Sequence, residues 1–492
     1  MNKTTQICYL LILSCVCISS LQADSRGDEL AKWINAQGLG IWGEPPELCD
    51  DHTFVRRVYL DIIGRVPSVS EIRDFQEFGT NRRNLLVEQL VYSEGERADR
   101  YRRLSARQFA RHWAQVLIPP GTNTNGNTDS LQSFLADKYR SGVSYDDLIS
   151  EFIRSPSTGD YFGLVGSLPE NYAGHLSRVA LGVRIECAMC HDHPFTDWTQ
   201  GDFWGLAAFY APAANGEIHN EGTAYPVKLL WQDKPVEGSP ATHRVKLAEW
   251  LASTENEYFA TTGANRFWQH LVGRGLYADV ENLDQATVEE RFFADQLGQE
   301  FVKIDFDMQT LTAAICKSVW YQAKVSNRYT ENEDTEQFVR SLKAVSPEQV
   351  FDSLEQALLL PVSRLSNDAP RWTGGREQLV VRLSEAIGSN PEDFASGIPQ
   401  ALMMMNGQLT NDAISPERSR LLRAVVEAPF LPEVDRLETL YLAVLTRKPS
   451  AKETQAMQKY LNSQPANPAD RQKAYGEILW ALLNSPEFVL CR

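Results

Sequence analysis

Apolar residues recur every three or four positions along most of the chain, which is the pattern of amphipathic helices. The segment from Asp51 to Ile63 is an example, and it stops at Gly64. Its apolar face consists of Phe54, Val55, Val58, Tyr59 and Ile62. Ser68 and Glu71 then have the spacing of a capping box, which predicts the start of another helix. The first half of the chain should therefore be a succession of helices.

The second half repeats this pattern after one interruption. Residues 213–240 break the helical periodicity, and Ala224–Trp231 within them predicts one strand of a small hairpin. Amphipathic helices resume at 245–251, 264–271, 288–302, 308–319, 347–360, 436–445, 451–461 and 471–483. We therefore expect a mainly α fold, with two helical domains at 28–212 and 241–492. A short irregular or β-hairpin connection at 213–240 joins them.

The N-terminus has the pattern of a secretory signal peptide. Lys3 precedes an apolar run from Ile7 to Leu21, and the small residue Ala23 suits cleavage. This pattern predicts a signal peptide at 1–23 and export to the periplasm or another extracytoplasmic space. The alternative is a lipoprotein anchored at Cys15. No other apolar run reaches membrane length, so the mature chain should contain no integral membrane span.

Charge and cysteine content narrow the class of protein further. The net charge of −16 argues against nucleic acid as a partner and would suit a basic redox partner protein. Beyond the predicted signal peptide the cysteines are Cys49, Cys187, Cys190, Cys316 and Cys491. This odd, sparse set is not a disulfide framework.

The segment Cys187-Ala188-Met189-Cys190-His191 carries the most specific chemistry in the chain. It reads C-x-x-C-H, the attachment signature of c-type haem. Two thiols at this spacing can each bond one haem vinyl group, and the next residue offers an imidazole to the iron. With 8 Cys and 8 His in 492 residues, chance would give this pattern roughly 0.002 times per chain. The sequence predicts haem c bound by Cys187, Cys190 and His191.

Two other uses of the same residues stay open at this stage. Cys187, Cys190 and His191 or His193 could hold zinc or another divalent metal, or the two thiols could form a disulfide. If haem is bound, a further iron ligand must approach from the face opposite His191. His112 and His175 are the better candidates for that ligand, because His193 follows the motif too closely to reach round.

Carboxylates after the motif suggest a hydrolytic alternative. Asp192, Asp197 and Asp202 could join His191 and His193 around a metal with an activated water, or simply orient the imidazoles. The run Met403–Met405 is interpreted as core, and Cys316 as a buried thiol in an apolar helix.

A second polar group occurs on a predicted helix of the second domain. Asn265, Arg266 and His270 lie near one another on its surface, which fits either a polar pocket or an interface. No Ser-His-Asp arrangement, nucleophile elbow or dinucleotide fingerprint is present, so the motifs assign no enzymatic reaction.

Several segments resemble one family of exported proteins. They are Arg178–Tyr210, Phe54–Gly64, Arg111–Trp113, Asn265–Leu276 and Trp480–Phe488. The chain resembles proteins typical of Planctomycetes that pair a cytochrome-c-like domain of unknown function with a second family-specific domain. The resemblance carries no established activity, and its cytochrome label rests on the same C-x-x-C-H. Many members have a further cytochrome-like domain ahead of the first, and none is expected here.

Three functional hypotheses follow from these observations. The first is an exported c-type haem protein that serves electron transfer or an oxidative step on an extracytoplasmic substrate. The second is a metal-dependent hydrolase that uses His191, His193 and the nearby aspartates. The third is a non-catalytic structural or interaction protein, in which the two cysteines form a zinc or disulfide staple.

Overall fold

The computed structural model describes residues 27–491 with several gaps. The gaps are residues 94, 120–127, 156–160, 212–216, 233, 255, 326–337, 339, 360–379, 381–413, 415–418 and 466. The predicted signal peptide at 1–23, the alternative anchor Cys15 and the predicted core run Met403–Met405 lie outside the described residues.

The chain before the predicted connection is almost entirely helical. Its α-helices are α1 (27–42), α2 (Asp51–Val58), α3 (Val69–Glu77), α4 (Arg82–Val91), α5 (Ala98–Leu117), α6 (Asp129–Arg140), α7 (Tyr145–Arg154), α8 (Tyr161–Val165), α9 (Pro169–Leu176) and α10 (Gln200–Ala207). π-Helical turns extend α2 at Tyr59–Ile63 and α9 at Ser177–Leu181. Short 3₁₀ turns occur at Gly79–Asn81, Glu186–Met189 and Ala208–Tyr210.

The rest of the chain adds two small antiparallel sheets and further helices. Strand β1 (Glu217–Asn220) pairs with β2 (Thr223–Pro226), and β3 (Lys343–Ala344) pairs with β4 (Leu490–Cys491). The helices are α11 (Pro240–Leu251), α12 (Glu257–Val272), α13 (Val288–Lys303), α14 (Met308–Lys317), α15 (Pro347–Leu358), α16 (Arg420–Glu427), α17 (Glu433–Leu445), α18 (Ala451–Ser463), α19 (Pro468–Leu483) and α20 (Pro486–Val489). A 3₁₀ turn occurs at Leu283–Gln285.

The described residues form two compact units. Unit 1 contains the chain up to Pro46, Val91–Gln322 and Arg328–Arg340. Unit 2 contains Glu47–Leu90, Ala323–Asn327 and the chain from Ser341 onward. The hairpin lies within unit 1, and each unit draws on more than one stretch of sequence. This grouping differs from the predicted domain boundaries at 212 and 241, which stay a prediction.

Helix α12 forms much of the core of unit 1. Most of its residues are buried, including the polar side chains of Asn265 and Arg266. Gly298 of α13 approaches α12 so closely that a Cβ there would lie 2.7 Å from the backbone nitrogen of Thr261. The same helix packs against the π-helical turn at Ser177–Leu181, which leads to the C-x-x-C-H segment. The turn that precedes the C-x-x-C-H segment therefore packs on the buried core of unit 1.

Unit 2 has an aliphatic core of its own. Its members come from both ends of the chain and include Leu60, Val66, Leu354, Leu422, Leu440, Val444, Leu479 and Leu482. The buried guanidinium of Arg56 donates to the carbonyl oxygens of Val444 (3.0 Å) and Phe488 (2.7 Å). These bonds satisfy backbone groups near the ends of α17 and α20.

The mainly α fold expected from the pattern is confirmed, with one detail changed. The predicted strand Ala224–Trp231 is wrong in extent, because the strand is Thr223–Pro226 and its partner is Glu217–Asn220. The π-helical turn that precedes the C-x-x-C-H segment ends at Leu181, where Gly182 adopts a left-handed φ of 64°. None of the described helices is long and apolar enough to cross a membrane.

Candidate functional site: the C-x-x-C-H segment

Gly182 redirects the chain just before the C-x-x-C-H segment. Its left-handed backbone favours glycine, and a Cβ at this position would meet Thr262 Oγ1 at 2.6 Å. The chain then continues without regular structure to the 3₁₀ turn Glu186–Met189, which carries Cys187 and ends at Cys190. Both thiols therefore lie on one short turn that follows a buried helix.

The reactive side chains of the segment face solvent. Cys187, Cys190 and His191 are exposed, and the two thiols are not joined in a disulfide. Only Ala188 anchors the turn in the interior. Two apolar side chains beside the segment are also exposed, Met189 at 37% and Phe195 at 88%. The turn thus presents two free thiols, an imidazole and uncovered apolar surface.

Backbone hydrogen bonds orient the imidazoles of the segment. His191 Nδ1 lies 2.8 Å from the Asp192 carbonyl oxygen, so this nitrogen carries the proton and donates. Nε2 of His191 is then the nitrogen with a lone pair for a ligand bond. His193 is held differently, because its Nδ1 accepts the N–H of Phe195 at 3.2 Å.

The predicted aspartates do not gather around one centre. Asp192 Oδ1 accepts the backbone N–H of Gln200 at 2.9 Å, and Asp197 is exposed. Asp202 forms the capping box of α10 with Thr199 and pairs with Lys228 at 2.8 Å. Burial opposes ionisation of Asp202, but hydrogen bonds from Lys228 and Thr199 outweigh it and lower its pKa. Asp202 thus has a structural role.

The two distal histidine candidates have distinct surroundings. His175 is buried, with Nε2 2.7 Å from the Leu117 carbonyl oxygen and Nδ1 3.4 Å from an Arg178 guanidinium nitrogen. Burial lowers its pKa to about 4. His112 is half-buried, and its ring stacks on that of His270 with centroids 3.8 Å apart. The structure therefore gives each candidate partners of its own.

An ion network connects the residues before the motif to the segment after α12. Arg178 pairs with Glu186 at 2.7 Å, and Arg184 pairs with Asp279 at 3.0 Å. Glu281 lies within 4 Å of the guanidinium groups of Arg178, Arg184 and Arg266. Arg266 also donates to the carbonyl oxygens of Val179 and Arg178, each at 3.0 Å. These bonds fix the backbone that delivers Cys187.

Sequence reasoning missed most of this network. It grouped Asn265, Arg266 and His270 as a pocket or an interface, but the structure separates their roles. Asn265 Oδ1 accepts the N–H of Leu276 at 2.6 Å, Arg266 holds the chain before the motif, and His270 stacks on His112. The partners Glu281 and Asp279 lie almost a hundred positions from the motif, and no local spacing signals them.

A cavity of about 300 Å³ adjoins the motif. Cys187 and His193 line one part of it, and residues of the 279–285 segment line another. Across the part of the chain that the structure describes, no three His, Cys, Asp or Glu side chains form a group that could hold a metal ion. The zinc alternative based on Cys187, Cys190 and His191 or His193 stays a prediction.

Comparisons with known families agree with the resemblance seen in the sequence. Residues 32–161 and 167–215 match the PSCyt2 family, whose description is "Protein of unknown function (DUF1549)". The PSD1 family, a protein of unknown function (DUF1553), matches residues 243–368. No curated protein and no solved structure matches the chain. The chain belongs to the proteins that pair a PSCyt2 domain with a PSD1 domain, two domains of unknown function.

Proposed function

We propose that this chain is an exported c-type haem protein that serves electron transfer or an oxidative step on an extracytoplasmic substrate. Cys187 and Cys190 would hold the haem by thioether bonds, and His191 would ligate its iron through Nε2. One observation carries the proposal: two exposed, unbridged thiols share a turn with an exposed histidine whose Nδ1 bonds to a backbone carbonyl. That bond selects the tautomer an iron ligand needs.

The surroundings of the turn fit a large planar apolar group. Phe195 and Met189 leave apolar surface in water beside the thiols, and a bound porphyrin would cover such surface. Each thioether forms by addition of the thiol S–H across a vinyl double bond, so attachment needs no oxidant. When bound, the haem would supply a one-electron redox centre. The name PSCyt2 also hints at a cytochrome-like domain.

The protein's own contribution is to hold the turn in place. The Met189 carbonyl oxygen accepts the Trp204 indole N–H at 3.0 Å, and the Arg178–Glu186 pair fixes the start of the turn. The ring nitrogens of His175 already have partners, and His112 stacks on His270, so neither observation selects a further iron ligand.

Expression in a host that matures c-type cytochromes tests the proposal. We expect a sharp α-band on reduction and a mass gain equal to one haem that survives denaturation. Cys187→Ala and Cys190→Ala should each reduce covalent attachment, whereas His193→Ala is a matched control outside the motif and should retain it. A colourless product at the unmodified mass would refute the haem assignment.

The same preparation separates the other hypotheses. One bound zinc together with a hydrolytic activity lost in His193→Ala would favour the metal-dependent hydrolase. Bound zinc without activity, or a Cys187–Cys190 disulfide, would favour the structural or interaction protein.

Export is a separate part of the proposal. Cell fractionation followed by N-terminal sequencing should find the mature chain outside the cytoplasm, beginning at Asp24. A lipid-modified N-terminus at Cys15 would indicate the lipoprotein alternative, and an intact Met1 would contradict export.

A further inference from the structure

The cavity beside Cys187 has a polar lining that the haem proposal does not use. Thr196 and Trp198 follow the motif in sequence, and Asp284 belongs to the 279–285 segment. At about 300 Å³ the cavity is at the small end of ligand pockets and is too small to enclose a porphyrin. Any ligand of this cavity would therefore be distinct from the haem.

The charges around this cavity do not cancel. The positive charge of Arg184 is neutralised by Asp279 at 3.0 Å and Glu281 at 3.7 Å. Asp284 has two neutral partners instead, since Oδ2 accepts the Trp198 indole N–H at 2.8 Å and Oδ1 accepts the Tyr258 hydroxyl at 3.1 Å. Among the described residues no cationic group lies within ion-pair distance of Asp284, and the nearby Arg291, whose guanidinium lies over the Tyr258 ring, acts on Asp284 only at longer range. The cavity thus contains one half-buried carboxylate that makes no direct ion pair.

A hydroxyl group without a hydrogen-bond partner lines the same cavity. Thr196 Oγ1 is buried, and it has no hydrogen-bond partner among the residues the structure describes. A buried hydroxyl without a partner is costly, so a ligand that bonds it is favoured. The remaining polar lining includes the neutral amides of Asn282 and Gln285. These groups can bond a polar ligand but cannot balance the charge of Asp284.

We infer that this cavity binds a small organic cation, a molecule that carries a primary ammonium group beside a hydroxyl. The ammonium would pair with Asp284, and the hydroxyl would bond Thr196 Oγ1. Trp198 adds an aromatic wall of the kind that favours organic cations. Reduced solvent access strengthens the ion pair relative to an exposed one. The net charge of −16 also attracts cations to the protein.

This inference goes beyond the haem proposal and does not depend on it. It concerns binding alone, and no step in it involves the haem. If haem is present, the cation would bind next to the thioether at Cys187 and would be a candidate for the substrate class of that site. If haem is absent, the same binding is still expected.

Calorimetric titration with ethanolammonium tests the inference. Ethylene glycol is the matched neutral probe, since it replaces the ammonium with a second hydroxyl. We expect ethanolammonium to bind at least about tenfold more tightly than ethylene glycol, because a hydrogen bond to a charged group contributes more than a neutral one. Asp284→Asn should weaken the binding of ethanolammonium about tenfold, and Thr196→Val should weaken it about fivefold.

Asp197→Asn is the control variant, because Asp197 is an exposed carboxylate near the motif that does not line the cavity. This variant should bind ethanolammonium with an affinity within about twofold of that of the wild type, as expected for a change of a surface charge. Equal affinity for the two probes, equal effects of Asp284→Asn and Asp197→Asn, or no binding would each overturn the inference.

The titration should be run on haem-loaded and haem-free protein, with thermal unfolding curves to confirm that each variant is folded. Binding to the haem-free form alone would show that attached haem blocks the cavity, and it would overturn the inference for the haem-loaded protein. A failure to find haem, by contrast, would be seen in the spectrum and mass and would leave the binding result standing.

Discussion

Two polar segments of unit 1 contrast in what the fold requires of them. The segment at Asn265 and Arg266 is buried, and its side chains bond to backbone groups of other segments. The C-x-x-C-H segment is exposed, and its thiols make no disulfide. Both lie in stretches that resemble the same family, yet only the first is explained by packing.

This contrast teaches where chemistry should be sought. A buried polar side chain with satisfied hydrogen bonds is accounted for by the stability of the fold. Two cysteines and a histidine that face water contribute little to packing, and a folded protein does not need them there. The stability of the fold should therefore depend on the buried segment and be insensitive to changes in the exposed one.

Replacing Arg266 by methionine should have the largest effect. The substitution leaves the Val179 and Arg178 carbonyl oxygens without their donor and removes one cation from Glu281. We expect a loss of about 3–5 kcal/mol in the free energy of unfolding, as for other broken buried ionic groups. Urea denaturation measures this change. Arg184→Met is the matched control, because Arg184 is half exposed, and it should cost under about 1 kcal/mol.

A pH dependence of stability should follow from buried His175. Its folded pKa of about 4 lies below the ordinary value of 6.5 because burial disfavours the charged ring. The unfolded chain therefore binds the proton first as pH falls, and stability present above pH 6.5 is lost towards pH 4. The full loss is about 3 kcal/mol, at roughly 1.4 kcal/mol per pH unit.

His175→Gln isolates this contribution. Glutamine can still donate to the Leu117 carbonyl oxygen, but it does not titrate. The difference in unfolding free energy between wild type and variant should change with pH across this window. If the difference in unfolding free energy did not change with pH, the fold would not be holding His175 in its neutral form, and this prediction would be wrong.

The sequence predicted most helices well, because the start and end of a helix depend on residues that are close together in sequence. The capping box at Ser68 and Glu71 is present, and the helix from Asp51 ends at Gly64 as predicted. The predicted strand Ala224–Trp231 extends five residues beyond the observed end at Pro226, because the strand pairs only as far as its partner Glu217–Asn220 reaches. Arg266 and its distant carbonyl partners could not be predicted, since nothing in their spacing records a contact made by tertiary packing.

The candidate site shows the same division. The prediction that Cys187, Cys190 and His191 act together came from their spacing alone, and the three residues lie together in one exposed segment. The sequence did not single out Asp284 or Thr196 as ligand-binding candidates. Their proposed role depends on two segments that meet around one cavity in the folded protein. Asp202, one of the aspartates grouped with the motif by sequence proximity, caps helix α10 instead. Proximity in sequence is a poor guide to a pocket.

Gly182→Ala should have an intermediate effect on stability. The left-handed backbone alone costs roughly 1–2 kcal/mol for a residue with a Cβ. The new methyl group would also crowd Thr262 Oγ1 and the Val280 carbonyl oxygen. Gly222 is a matched control, because it has φ +84° and open space around it. Gly222→Ala should therefore cost less than Gly182→Ala in the same denaturation assay, and equal costs would show that close packing at Gly182 is unimportant.

The smallest effect is expected where the chemistry is proposed. In the haem-free protein, the double variant Cys187→Ser/Cys190→Ser should change the free energy of unfolding by less than about 0.5 kcal/mol, since both side chains are exposed and unbridged. Denaturation with and without a reducing agent measures this directly. A loss above about 2 kcal/mol that is seen under oxidising conditions alone would indicate a disulfide staple. A similar difference between variant and wild type that disappears when zinc is chelated from the wild type would indicate a metal staple. Either result would show that the motif stabilises the fold, as Arg266 does, and the contrast between the two segments would then be wrong.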